Sequence, residues 1–401
     1  MYVEFMVGVL MTKLKDVFSL QITGEWGVEY TENETNTKVL RTTNFTPDGI
    51  INYSDVVLRC IHKDKVEKKK LRYEDIILEK SGGTEKTPVG RVVFCDESIE
   101  KDTYLCNNFT QAMRVNREIA VPKYVFYFMW NLHNSGKTEL LQNKTTGIRN
   151  LQVKSYLNEK IPLPPLDEQR KIAAVLDKVS DLIAKRRQQL TMLDKLVKAS
   201  FVEMFGDPVQ NTRGWVKKCL DDLCDGIGDG LHGTPEYDEN GDYAFINGNN
   251  LTDGRIKITD TTKFINKKEY TRLFINISNN AVLISINGTL GKLAFYNGEK
   301  VALGKSVCYC NLKDDVNKHF VYGLMKSESF SNFMESSSTK STIKNVGLKA
   351  IREYGVILPP KEVQDNFAVF FSRIEKTKTT ISCSLDRLEM LKRALMQEYF
   401  E

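Results

Sequence analysis

The stretch LPPLDEQRKI begins at Leu163, and LPPKEVQDNF begins at Leu358. Shifted by 195 positions, residues 145–206 match residues 340–401 without a gap, with fourteen identities. Ile148 matches Ile343, Asn150 matches Asn345, Gln169 matches Gln364 and Phe205 matches Phe400. Self-similarity at a fixed offset constrains a fold more than any local signal, because both copies must solve the same packing problem.

Each copy carries a helix start. A Pro-Pro pair cannot lie inside a helix, and it drives the preceding residue toward extended backbone. Acids follow, Asp167 and Glu168 in one copy and Glu362 in the other, which suits the positive end of a helix dipole. Ile172, Leu176, Val179, Ile183, Leu190, Leu193, Val197 and Met204 then recur at spacings of three and four. Phe367, Phe371, Ile374, Ile381, Leu385, Leu388, Leu395 and Tyr399 do so in the second copy. This is a heptad seam rather than a surface helix's apolar stripe. Neither Gly nor Pro interrupts either run for about 38 residues, so each helix is expected to be on the order of 57 Å long. A seam of that length needs a partner, and the nearest one is the other copy.

Ahead of each helix lies a segment rich in Gly, Asn, Thr and Asp with short β-branched and aromatic runs. NAVLISINGTLGKLAFY, from Asn280, reads as strand, Asn-Gly turn, strand. DIILEKSGGTEKTPVGRVVF, from Asp75, is its looser counterpart, and TTNFTPDGII from Thr42 echoes GNNLTDGRI from Gly248. The expected fold class is α+β: two mixed, mainly β globular domains separated by two long antiparallel coiled-coil helices, with a pseudo-two-fold internal repeat. The expected domains are 1–150 (first globule), 151–207 (central long helix), 208–345 (second globule) and 346–401 (C-terminal long helix).

Net charge of +5 permits a nucleic-acid partner without demanding one. Residues 1–206 hold 31 basic and 27 acidic groups, and the remainder holds 26 and 25, so neither half is strongly basic. Eight cysteines without a Cys-x-x-Cys pair and four scattered histidines read as reduced thiols, with no metal site expected. No apolar run is long enough to span a bilayer, and the short opening MYVEFMVGVLM is not expected to be a signal peptide. Met11, which opens MTKLKDVF, reads as an alternative start. Catalytic motifs are missing as well. The only Pro-Pro pairs follow Leu, so there is no Asn/Asp-Pro-Pro-aromatic loop to hold a flipped base. There is no phosphate loop, and DGIGDG from Asp225 lacks the strand–helix context of a nucleotide site. The basic run KDKVEKKKLR, from Lys63, reads as a solvated loop or strand edge, with phosphate contact as the alternative.

The layout of head, helix, head, helix, with Pro-Pro-x-x-x-Gln helix starts and the GLHGTPEY and ISINGTLGK segments, resembles the specificity subunit of type I restriction–modification systems. The resemblance covers essentially the whole chain. It is weaker in the first head, where GEWGVEYTENET stands in place of a Gly-x-x-Gly-Thr-Pro segment. It implies that the heads are target recognition domains, each reading half of a bipartite site in double-stranded DNA. The helices would set the unread gap and dock two methyltransferase subunits, through which motor-nuclease subunits join. It implies no catalytic site and no cofactor in this chain; S-adenosylmethionine, ATP and Mg would belong to the partners. It further implies a cytoplasmic location and no membrane partner. The competing readings are a stand-alone DNA-modifying enzyme and a protein-interaction scaffold that binds no DNA.

Base contacts need donors on loops with backbone freedom. Asn or Gln can pair adenine twice, Arg or Lys can pair guanine, and small hydroxyls and Lys more often grip phosphate. The second head offers Gly230, His232, Gly233, Thr234, Asn247, Asn249, Asn250, Asn287, Thr289, Lys292, Lys305 and Ser306. By alignment, the first head offers Arg41, Thr42, Thr43, Asn44, Ser81, Gly82, Thr84, Lys86, Arg91, Gln111 and Arg114. For each of these, an ordinary turn or structural hydrogen bond is the competing role.

Overall fold

The computed structural model describes residues 10–29, 36–144 and 147–401. Most of the MYVEFMVGVLM opening, the end of GEWGVEYTENET, and the first residues of the repeat lie outside the described residues. The chain forms two compact units, 1–185 with 385–401, and 186–384.

In the first unit, Phe18–Thr23, Thr110–Val115, Ile76–Glu79 and Val92–Phe94 form a four-stranded antiparallel sheet in that spatial order. Beside it, Val57–Cys60, Asn36–Leu40 and Tyr104–Cys106 form a three-stranded sheet, with the last pair parallel. The second unit repeats both sheets with the same order and sense. Cys224–Asp229, Val307–Leu312, Ala281–Ser285 and Leu293–Phe295 form the larger one. Lys263–Ile265, Tyr243–Ile246 and Val301–Leu303 form the smaller. The heads are therefore the same fold, as the faint echoes between them predict.

The central strands are apolar at nearly every position because both of their faces are covered. Ile76 and Leu78 enter one core while Ile77 enters another. Val282 and Ile284 likewise separate from Leu283. This is period-two alternation between two cores, rather than between core and water.

The long helices run Leu166–Phe205 and Lys361–Phe400, forty residues each. In the first unit, Ile172, Ala173 and Leu176 from the start of the first helix share a core with Met396 and Phe400 from the end of the second. In the second unit, Phe201 and Phe205 from the end of the first helix share a core with Phe367 and Phe371 from the start of the second. The helices are thus antiparallel, and equivalent repeat positions make both seams. The second seam is heavily aromatic, with ring centroids 5.4 Å apart for Phe201–Phe367 and 4.8 Å for Phe205–Phe320. Room for Phe201 comes from Gly323, where a Cβ would fall 2.5 Å from its ring.

The repeated Gln closes each helix start. Gln169 Nε2 donates to the Pro164 carbonyl at 2.8 Å while its Oε1 accepts from the Val121 N–H at 2.8 Å. Gln364 does the same with the Pro359 carbonyl at 2.8 Å and the Asn317 N–H at 2.9 Å. Both side chains are about 1% exposed. Each Gln ties the proline turn to the N-terminus of a helix from its own head, Pro122–Asn134 or Lys318–Met325, and satisfies a helix-end N–H that would otherwise lack a partner.

Part of the basic run differs from expectation. Lys63–Lys69 is a short helix, not a loop or strand edge, with Val66 buried beneath it. Two of its cations, Lys65 and Lys69, reach Glu25 at 3.2 and 2.8 Å. The glycine-rich segment after Asp225 is part of the strand Cys224–Asp229.

Candidate nucleic-acid interface

In the second head four loops converge on one polar face. The strand Tyr243–Ile246 ends in a single 3-10 turn, Gly248–Asn250. Strand Val301–Leu303 leads through Gly304, Lys305 and Ser306 into Val307–Leu312. The hairpin after Ser285 turns at Asn287 and Gly288, where φ is +77° and glycine avoids the strain a side chain would incur. The fourth loop, 342–345, precedes the second repeated helix start.

Side chains and backbone stitch these loops together. Ser306 Oγ accepts from the Gly248 N–H at 2.9 Å and donates to Asn247 Oδ1 at 3.0 Å. The Gly288 N–H donates to the Lys344 carbonyl at 2.9 Å, and Asn287 Nδ2 donates to Asn345 Oδ1 at 3.2 Å. Asn247, Asn249, Asn287, Thr289, Lys305, Ser306, Thr342 and Lys344 line an open cavity of about 590 Å³. Asn287 and Lys305 also line an adjoining cavity of about 450 Å³, with Asp229, His232 and Asn345. The result is an open surface of carboxamides, hydroxyls and two lysines, with the paired Asp229 and His232 at its edge, suited to base edges and phosphates rather than to an enclosed small molecule.

Of the residues expected in this head, Asn247, Asn249, Asn287, Thr289, Lys305, Ser306 and His232 are brought together. His232 Nε2 lies 2.7 Å from Asp229 Oδ2. Gly233 and Thr234 are exposed on the same loop as His232. That loop is anchored by the Glu236 N–H, which donates to Glu269 at 3.1 Å. Arg272 and this N–H hold the Glu269 carboxyl down to about 2. Two others have structural roles. Gly230 is buried where a Cβ would meet the Leu303 carbonyl at 2.0 Å, so its glycine is demanded by a close strand approach. Asn250 is buried, and its amide closes its own turn, accepting from the Asn247 N–H at 2.9 Å and donating to Lys257 and Thr262. Lys292 is half-buried, and its N–H donates to Ser285 Oγ at 2.8 Å.

The first head places its residues differently. Asn44 is the buried counterpart of Asn250, accepting from the Arg41 N–H at 2.8 Å. Three expected cations and one amide are already engaged. Arg41 reaches Asp55 at 2.7 Å. Arg91 makes two bonds of 2.8 Å to the buried Glu79, and one to the Thr42 carbonyl. Arg114 holds the buried Asp75 through bonds of 2.8 and 2.7 Å. Gln111 is buried and donates to Gln21. Burying a carboxylate without a partner costs several kcal/mol, so Arg91 and Arg114 have a structural reason to stand where they do, whereas the Asp55 that Arg41 meets is exposed. Thr43, Gly82, Thr84 and Lys86 remain exposed, with Thr84 and Thr87 sharing a hydroxyl bond of 2.7 Å. Ser81 Oγ donates to Asn150 Oδ1 at 2.5 Å, the counterpart of the Asn287–Asn345 bond.

Sequence reasoning missed Asn345, Lys344 and Thr342, and in the first head Asn150 and the exposed Phe109, whose ring lies beneath Gly82. The signal for the two asparagines was their identity across the repeat. An identity of that kind marks the duplication, and in a polar residue it also marks a shared side-chain role.

A head built twice on one topology, each presenting loop donors beside a repeated helix start, defines a duplicated recognition protein. The chain belongs to the family of the type I restriction modification DNA specificity domain, whose family model matches residues 6–192 and again 212–390. Among curated relatives, the MjaVIII specificity subunit of a type I restriction enzyme from Methanocaldococcus jannaschii is 34% identical over 82 residues, covering 20% of this chain and 19% of that protein. A putative MjaX specificity subunit from the same organism is 21% identical over 185 residues, covering 43% of this chain and 44% of that one. The chain thus matches less than half the length of these relatives. In fold it is similar to the type I restriction–modification S subunit from M. genitalium, with TM-score 0.60, 14% identity and coverage of 98% and 96%. It is also similar to a chain solved in a study of complex assembly and conformational transition of the type I R-M system, with TM-score 0.55, 18% identity and coverage of 98% of both chains.

Proposed function

We propose that this chain is the DNA-recognition subunit of a type I restriction–modification complex, without a reaction of its own. Each head reads one half of a bipartite site, and the paired helices set the unread interval and dock two methyltransferase subunits. Motor-nuclease subunits would join through that core, and S-adenosylmethionine, ATP and Mg would be bound by the partners. The observation that carries the reading is the double match to a DNA-specificity family, one match per head, together with the polar loop face of the second head. The chain's modest net charge of +5 fits a subunit whose partners supply much of the phosphate neutralisation. No helix among the described residues is long and apolar enough to cross a membrane.

The test is protection of DNA by the chain co-purified with its methyltransferase partner. A bipartite, asymmetric site is expected, and exchanging the first head for that of a relative should alter one half-site only. Both halves changing together would refute the two-reader arrangement. Absence of DNA binding across salt concentrations, with partner present, would favour a protein scaffold.

A further inference from the structure

The geometry points to Asn287 and Asn345 acting as one reading unit in the second head, selecting adenine over guanine at a single position of its half-site. This rests on the DNA-recognition reading above and adds to it the residues and the base.

The two side chains come from segments 58 residues apart and meet across an isolated antiparallel bridge. The contact is closed on both sides by backbone bonds, from the Gly288 N–H to the Lys344 carbonyl and from the Val346 N–H to the Ile286 carbonyl, each 2.9 Å. Its residues are therefore placed by a ladder and not by a free loop. Asn287 uses an Nδ2 hydrogen on Asn345 Oδ1. That leaves Asn287 Oδ1 as an acceptor and the Asn345 Nδ2 group as a donor, on two residues that line the cavity also lined by Lys305, His232 and Asp229. In the major groove adenine presents an acceptor at N7 and a donor at N6, whereas guanine presents two acceptors. One acceptor beside one donor matches adenine and leaves the guanine O6 facing a carbonyl.

The first head carries the same device with a different output. Asn150 occupies the matching repeat position, and its Oδ1 receives the Ser81 hydroxyl at 2.5 Å across the strand pairing of Asn150 with Ser81. The Ser81 hydroxyl, its one hydrogen spent on Asn150, keeps only its acceptor lone pairs, so the first head presents a hydroxyl acceptor on a shorter side chain where the second presents a carboxamide. The repeat therefore keeps the asparagine that holds the head's reading residue, while the residue held differs between heads.

The experiment measures binding of the methyltransferase-bound complex to a duplex library randomised in the protected half-sites. Asn287→Ala and Asn345→Ala should each relax preference by about 10-fold or more at the same position of one half-site, and the double variant should lose little beyond either single one. Asn345→Asp is the folding control. Its carboxylate still accepts from Asn287 but presents no donor to N7, so binding to the adenine site should fall while thermal stability holds. Replacing that adenine by 7-deaza-adenine should weaken the unsubstituted complex and leave Asn345→Ala unaffected. Asn150→Ala should alter the other half-site alone. If the two asparagine variants act at different positions, or weaken all sequences equally, the pair is not a reading unit. That result is distinct from failure of the DNA-recognition reading, in which the unsubstituted complex would show no sequence preference and Lys305→Ala would change nothing.

Discussion

Replacing Gln364 by Leu probes the link between the repeated proline turn and the head beside it. Leu has similar bulk and would keep the site filled, so the loss isolates the hydrogen bonds. Two partners are left behind in a site where the side chain is 1% exposed: the Pro359 carbonyl and the Asn317 N–H at the start of the helix Lys318–Met325. A buried polar group without a partner costs about 1–3 kcal/mol, so with two such groups the substitution should destabilise the second unit by about 2–6 kcal/mol in total. Hydrogen exchange resolved by peptide is the appropriate assay, because a chain of two units need not unfold in a single step. Exchange should accelerate in peptides covering 317–325 and 361–371, whereas peptides covering 121–134 should keep their protection. Gln169→Leu should produce the reverse pattern. Gln364→Glu sharpens the test. The buried acid is disfavoured in its charged form, so its folded pKa lies above the unfolded value near 4.3. Protonated, it can both donate and accept as Gln does. Relative to the unsubstituted protein it should be nearly as stable near pH 4 and lose stability as pH rises toward 7. A Gln364→Leu effect within 0.5 kcal/mol of zero, or equal acceleration in both units, would refute the reasoning.

Gly323→Ala should cost about 1–3 kcal/mol by overpacking, despite alanine's better helix propensity, because the new methyl falls 2.5 Å from the Phe201 ring and 3.2 Å from Phe367; denaturant unfolding of the second unit checks it. Arg114→Ala should cost about 3–5 kcal/mol by leaving the buried Asp75 carboxylate without its cation, while site preference, measured on the fraction that stays folded, should be unchanged; a changed base preference would return Arg114 to the reading face. His319, packed between Phe295 and Phe371, is pushed down to about 4 by burial and by the adjacent Lys318. Since its folded pKa lies below the unfolded value near 6.5, the stability it contributes is present above that value and is lost as pH falls from about 6.5 to 4. With four histidines in the chain, an NMR titration can resolve its ring signal directly, and a His319→Phe variant should lose that part of the acid dependence.

The division of labour between sequence and fold follows from how far each constraint reaches. The duplication, the helix starts and the seams were legible because they are local and periodic. Proline geometry acts on neighbouring residues, and a heptad repeats within one helix. The likeness of the two heads was visible only as faint echoes at Thr42 and Gly248 and in the hairpins after Asp75 and Asn280, yet their strand order and sense coincide. Sheet pairing depends on which strands meet, and many sequences satisfy the same pairing.

The candidate face was half legible. Asn-Gly and Lys-Ser turns announced loops with donors, and seven of the expected residues in the second head share that surface. Asn44 and Asn250 look the same in sequence as Asn249, but the 3-10 turn directs their amides inward to cap their own loops. Arg91 and Arg114 look like free cations until Glu79 and Asp75 arrive from a neighbouring strand. Thus the sequence by itself determined a duplicated chain of heads and paired helices, through periodicities that need no knowledge of distant contacts. Only the tertiary structure decided which polar side chains remain available to a partner, because a donor is free or spent according to what the fold brings within about 3 Å of it.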